Sequence, residues 1–211
     1  MRLALLHTSP VHVPVFDALR DQDHPGLELR HLVSEELLAR ARVEGPEAVA
    51  GDVGRLMEAA VLDGAAAVLC TCSTIGGVAE AAGVGLGVPV LRVDRPMAAR
   101  AAAADRVMVL ASVESTLGPT VDLIRDEAGA RCPRIATRVV EGAWERFAAG
   151  DQEGCLAAVA AAVDAVPEGE ADVIVLAQAS MADAAQLVAT RRPVLSSPRL
   201  GLAAAAGAVR G

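Results

Sequence analysis

The sequence predicts an α/β fold made of two pseudo-symmetric lobes, each a parallel four-stranded sheet flanked by helices. Three observations carry this prediction. Short β-type runs alternate with longer segments of helical composition. The runs are apolar along their length, as strands covered by helices on both sheet faces must be. The second half of the chain also repeats the landmarks of the first at a nearly constant offset, and 211 residues suffice for two small lobes.

Taken in order, "RLALLH" (2–7) reads as the first strand, and Pro14 can open the helix after it, where a missing N–H does no harm. "LELRHLV" (27–33) is the second strand, and Glu35 in "VSEELL" falls in the first turn of the next helix, where an acid is favoured. Pro46 opens the helix "PEAVAGDVGRLMEAAVLDG" and Gly64 ends it. "AAAVLC" (65–70) and "VPVLRV" (88–93) complete the first sheet. The second sheet is expected from "RVMVLAS" (106–112), "RIATRVV" (134–140), "ADVIVLA" (171–177) and "RPVLSS" (192–197).

The repeat aligns Thr8 with Ser112, Pro89 with Pro193 and Arg95 with Arg199, each at an offset of 104. It aligns Cys72 with Gln178 and Thr74 with Ser180 at 106. The lobes are therefore expected at 1–97, joined by the closing helix 199–211, and at 98–198.

Composition narrows the function classes. Hydrophobic residues are 53% but aromatics only 1%, so the core must be built from Ala, Val and Leu. All 19 basic residues are Arg, and the net charge is -8 with acids and arginines interspersed. No basic stripe with aromatic interleaving suggests nucleic acid. No apolar run reaches the roughly 18 residues of a membrane span, and the apolar core of "MRLALLHTSP" is too short for a signal peptide. The four cysteines, Cys70, Cys72, Cys132 and Cys155, lack a disulfide-framework spacing, so a cytoplasmic chain with free thiols is the default.

In open parallel sheets, ligands bind beyond the carboxyl ends of the strands. Two lobes facing one another would enclose a pocket lined by "HTSP" (7–10), "CTCST" (70–74), "ASVEST" (111–116), "AQAS" (177–180) and "SSP" (196–198). Hydroxyls, a thiol and backbone N–H groups at helix starts suit a small carboxylate. Cys72 lies just past a strand end, with Ser73 or Thr74 as the expected cap of the helix that follows. A thiol there faces the positive end of that helix, which favours the reactive thiolate. Cys70 is expected to pack in the sheet. Cys70 with Cys72 makes a poor metal clip, because zinc sites need wider cysteine spacing and further ligands; no metal is expected. Cys132 and Cys155 read as surface or packing residues.

Around "CST", Cys72-Ser73-Thr74, the sequence resembles the aspartate/glutamate racemase superfamily, over nearly the whole chain. "LLHTSP", "HLVSEELL", "CTCSTIG", "LAQASMA" and "LSSPRLGL" resemble an uncharacterised branch of it. The resemblance implies two α/β lobes and a Cys-Asn-Thr motif after a first-lobe strand, which "CST" matches with Ser in place of Asn. It also implies a Gly-Cys-Thr motif in the second lobe, where this chain has "AQAS" with Gln178 at the cysteine position. Family racemases use no cofactor: one thiolate removes the Cα proton and the other thiol returns one to the opposite face. Gln178 does not titrate usefully. One-thiol members, decarboxylases and cis–trans isomerases, supply the alternative, with Gln178 as polar anchor or oxyanion donor. A homodimer is compatible with the resemblance, since family members often pair.

The expected reading is thus a cofactor-independent isomerase or racemase-like enzyme acting on a small carboxylic or amino acid through Cys72. Thr8, Ser9, Ser73, Thr74, Ser112, Thr116, Ala179 and Ser180 are the expected substrate-binding positions. Each of these hydroxyls has a bland alternative as a helix cap or turn former, as do Ser115 and Ser197. His7 could carry a proton, or be a satisfied structural histidine. Arg95 and Arg199 could hold a carboxylate, or pair with acids in solvent. The competing function is a non-catalytic sensor or carboxylate-binding protein that kept the pocket and lost the second base.

Overall fold

The computed structural model describes residues 1–210. The chain divides into two compact units, Met1–Val93 with Pro198–Gly211, and Asp94–Ser197.

The first unit holds strands β1 (Arg2–His7), β2 (Glu28–Val33), β3 (Ala65–Cys70) and β4 (Val90–Arg92). They lie in the order β2-β1-β3-β4, and every neighbouring pair is parallel. Helices α1 (His12–Asp23), α2 (Glu35–Glu44), α3 (Ala50–Leu62), α4 (Ser73–Ala82) and α9 (Ser197–Arg210) cover the sheet. Alternation along the strands assigns the faces. Ala4, Leu6, Val68 and Cys70 pack with Leu37, Val53, Met57 and Ile75 of α2, α3 and α4. Leu3, Leu5, Ala67 and Leu69 pack with Phe16 of α1 and Leu202, Ala205 and Val209 of α9. Each fully buried Leu or Ile contributes about 1.5–3 kcal/mol, which is how a core with almost no aromatic side chains is held together. Gly201 lets α9 lie against the end of the sheet: a Cβ there would stand 2.5 Å from the Val93 carbonyl oxygen.

The second unit holds β5 (Arg106–Ala111), β6 (Arg134–Val139), β7 (Val173–Leu176) and β8 (Val194–Ser196), in the parallel order β6-β5-β7-β8. The order is that of the first sheet, strand for strand. Helices α5 (Arg95–Ala101), α6 (Leu117–Ala128), α7 (Ala143–Ala148) and α8 (Gln152–Asp164) belong to this unit. Met108, Leu110, Ile174 and Leu176 pack with Ala143, Cys155, Val159 and Val163 of α7 and α8.

Several boundaries differ from the sequence expectation. α1 begins at His12, so Pro14 is its third residue rather than its opener; the first N–H groups of a helix have no intrahelical acceptor, so the position costs no bond. The segment from Pro46 is a 3-10 helix, Pro46–Val49, before α3 begins. Gly64, with φ of 89°, follows the end of α3. β4 and β8 are three residues each, shorter than the runs 88–93 and 192–197. They are edge strands, and Pro89 and Pro193 have no N–H to extend the ladder. Both prolines still accept: Val68 N–H donates to the Pro89 carbonyl at 2.9 Å, and Ile174 N–H to the Pro193 carbonyl at 3.0 Å.

Candidate functional site

Cys72 and Gln178 hold equivalent places in the two units. Each stands two residues past the last residue of the third strand, Cys70 or Leu176. Each has extended backbone, φ/ψ of −111°/119° and −125°/142°, and each is the N-cap of the helical segment that follows. For Cys72 this is α4; for Gln178 it is a 3-10 helix, Ala179–Gln186. The cap is thus Cys72 itself, not Ser73 or Thr74 as the sequence suggested; both of these lie inside the first turn of α4. The extended geometry after the strand end places the helix start one residue earlier. Cys72 is half-buried, and its carbonyl accepts from the buried Cys70 thiol at 3.6 Å.

Gln178 is anchored. Its Oε1 accepts from the Ser112 N–H at 2.6 Å and from the Ser112 hydroxyl at 2.8 Å. Ser112 follows β5, the strand beside β7. The oxygen is committed by these bonds, so what this side chain offers a ligand is its two amide N–H donors. Thr8, the repeat equivalent of Ser112, is buried directly past β1, and Ser9 is half-buried beside it. Thr116 is buried at the start of α6, its carbonyl accepting from the Thr120 hydroxyl. Ala179 and Ser180 are half-buried in the first turn of their 3-10 helix.

Other candidates take structural places. Glu35 is exposed in the first turn of α2. Arg95 pairs with Asp126 at 2.9 Å and Glu127 at 2.5 Å. Arg199 pairs with Asp23 and donates to Gln22 at 2.8 Å. Ser115 and Cys132 are exposed, while Cys155 is buried against α8's neighbours. Ser197 is buried, its hydroxyl without a hydrogen-bond partner.

His7 is not isolated. It is fully buried, its Nδ1 is 2.8 Å from the Thr71 hydroxyl, and its Nε2 is 2.8 Å from His31 Nδ1. His31 Nε2 in turn lies 3.3 Å from Asp17 Oδ1. Burial lowers the His7 pKa to about 3, with the neighbouring His31 and His12 adding to the effect. Burial likewise lowers His12. Sequence reading missed His31 and Asp17. The available signal was parity: His7 pairs with Val33 across β1 and β2, so His31, two residues earlier, shares its face.

Among the described residues, no group of three or more His, Cys, Asp or Glu side chains is arranged to hold a metal ion, and no helix is long and apolar enough to cross a membrane. A groove of about 890 Å³ in the second unit is lined by Asp164–Gly169, Ala171, Asp172 and Ala189–Pro193. It lies at the amino ends of β7 and β8, away from the strand ends that carry Ser112 and Gln178.

The sequence model of the family described as Asp/Glu/Hydantoin racemase matches residues 12–205. No curated protein matches the chain. Among solved structures, a candidate Asp/Glu racemase from Yersinia pestis is similar over 100% of this chain and 100% of its own, with a TM-score of 0.74 at 14% identity. Allantoin racemase from Klebsiella pneumoniae is similar over 100% of this chain and 88% of its own, with a TM-score of 0.72 at 17% identity. A mutant of arylmalonate decarboxylase, in a sulfate-associated form, is similar over 100% and 94%, with a TM-score of 0.67 at 19% identity. At these identities the likeness is one of fold.

Proposed function

Because the chain belongs to the Asp/Glu/Hydantoin racemase family, we propose that it is a racemase-type enzyme in which one thiol, Cys72, works without a cofactor at the α carbon of a small carboxylic or amino acid. The observation that carries this reading is the matched pair of N-caps: a thiol at the start of α4 and, at the equivalent place in the second unit, an amide. At the start of α4 the thiol stands beside the first backbone N–H groups of the helix, which have no intrahelical acceptor.

The proposed step is a single-base proton transfer. The Cys72 thiolate takes the Cα proton; the S–H bond forms as the C–H bond breaks, and the electron pair moves into an enediolate. The Gln178 amide N–H groups, with their oxygen held by Ser112, are donors of the kind that stabilise an oxyanion. Thr74 and the first N–H groups of α4 hold the carboxylate, with Thr8, Ser9, Ser73, Thr116, Ala179 and Ser180 as further hydrogen-bonding positions. The same thiol returns a proton to the carbon. Without a titrating group at 178, the carbon exchanges its hydrogen with solvent faster than it inverts.

The test is proton–deuterium exchange at Cα in heavy water, with aspartate, glutamate, allantoin and phenylmalonate as probes; phenylmalonate also reports decarboxylation. Exchange or decarboxylation that disappears in Cys72→Ala supports the enzyme. The lack of a second titrating group at Gln178 favours one other reading, a carboxylate-binding protein without turnover. Saturable binding of a probe with no exchange, isomerisation or decarboxylation would establish that reading and reject the enzyme.

A further inference from the structure

The first unit contains a chain of hydrogen-bonding side chains that the proposed reaction does not use. It runs from Asp17 on α1 to His31 on β2, His7 on β1 and Thr71, which follows β3 and precedes Cys72. Three elements and the turn after β3 thus contribute one side chain each. Their setting is the apolar face that Phe16 shares with α9; the His7 and Phe16 ring centroids are 5.5 Å apart, and the His7 and His31 rings are stacked at 5.1 Å. Two imidazoles in an Ala- and Leu-rich core need satisfied nitrogens, and this chain satisfies them.

Donor and acceptor accounting allows two states. In one, every hydrogen points toward the carboxylate: Thr71 O–H donates to His7 Nδ1, His7 Nε2–H to His31 Nδ1, and His31 Nε2–H to Asp17. In the other, Thr71 O–H donates to the Leu6 carbonyl at 3.1 Å. His7 then donates from Nδ1 to Thr71, and His31 donates from both nitrogens, to His7 and to Asp17. The second state holds one more proton. The Asp17 carboxylate at the end of the chain faces the added charge. The groups facing this chain are His12 and Arg20 of α1; Arg20 also pairs with Asp17, at 3.3 Å.

We propose that Asp17, His31 and His7 are positioning residues for the turn that carries Cys72: they hold it through Thr71, and the one-proton change in the chain alters how that thiol reacts. In the proton-poor state Thr71 is a donor to His7; in the proton-rich state it is an acceptor from His7 and a donor to Leu6. The Thr71 N–H also donates to the Leu6 carbonyl, at 3.0 Å, so this one oxygen ties β1 to the turn and feels the switch. Thr71 and Cys72 point to opposite faces of the extended segment. The coupling therefore runs through the backbone and through the charge that the chain gains, not through direct proton transfer. The functional weight of this inference rests on Cys72 being the working thiol.

The test uses the full chain with 15N-labelled histidine, and iodoacetamide as the thiol probe, read by mass spectrometry at the Cys72 peptide so that exposed Cys132 does not contribute. The expected result is one ring proton gained by the His7–His31 pair on acidification. Beyond the thiol's own ionisation, the Cys72 alkylation rate then carries an inflection at the pH where the ring signals of that pair change. Across it the rate changes about 5-fold or more, the low end of coupling between linked sites. His31→Asn removes the inflection, and Asp17→Asn moves it to lower pH, because the carboxylate facing the added charge is gone. His7→Asn, which keeps a polar atom at the place of Nδ1, preserves the high-pH rate, and Thr71→Val changes it. An inflection unchanged in both folded variants, or a wild-type rate indifferent to protonation of the histidine pair, overturns the proposal. Failure of the Cys72 reading shows elsewhere, as the absence of Cα exchange with every probe, and leaves this coupling measurable.

Discussion

At the scale of single residues, the account divides the chemistry between a thiol that titrates and an amide that does not. Cys72→Ser should lower Cα exchange by about 10²-fold or more, the contribution typical of a positioned acid–base group; the exchange rate in heavy water checks it. Gln178→Cys should raise the ratio of inversion to exchange, because it places a second titrating group at the repeat-equivalent position. Ser112→Ala removes one of two donors to the Gln178 oxygen and should weaken turnover less than Cys72→Ser. His7 gives a prediction about stability. Its pKa is lowered to about 3 from a usual value of 6.5, so below pH 6.5 the unfolded chain takes up a proton that the folded chain refuses. Stability is therefore full above that pH and declines as pH falls toward 3, by roughly 3–5 kcal/mol in all. Urea unfolding at pH 7 and pH 4 should show this loss, and His7→Asn should flatten it.

At the scale of elements, caps and close approaches carry specific costs. Asp151 caps α8, its carboxylate accepting from the Gly154 N–H at 2.9 Å. Asp151→Ala should cost about 1 kcal/mol, measured as a shift in the urea midpoint. Gly201→Ala should cost more, about 1–3 kcal/mol, because a Cβ would meet the Val93 backbone, its carbonyl oxygen and Cα, as well as its β-branched side chain. The strands were legible because they are apolar runs of fixed order. Their ends were less so: β4 and β8 begin only after Pro89 and Pro193, which have no N–H for the ladder. The helix start at Cys72 was misplaced by one residue, since Ser and Thr are the stronger capping types and only the backbone geometry shows that a cysteine takes the position.

At the scale of the whole chain, duplication is what made the fold readable. Two sheets share one strand order, and the offsets of 104 and 106 read from the landmarks bring Thr8 to Ser112 and Cys72 to Gln178. The Gln178–Ser112 anchor was not legible, because nothing in the spacing of 178 and 112 signals that their strands are neighbours in the sheet until β5 pairs with β7. The Asp17–His31–His7–Thr71 chain was hidden for a related reason: its successive members are 14, 24 and 64 residues apart along the sequence and meet only once the strands pair and α1 packs on them.

The most direct measurement is the fate of the α hydrogen of the probe acids in heavy water, followed by NMR for the wild-type chain and for Cys72→Ala. The account predicts that deuterium enters at Cα of at least one probe, or that phenylmalonate loses carbon dioxide, in the wild type alone, with exchange outrunning inversion. Equal rates in the two proteins, or no reaction with any of them, would contradict it.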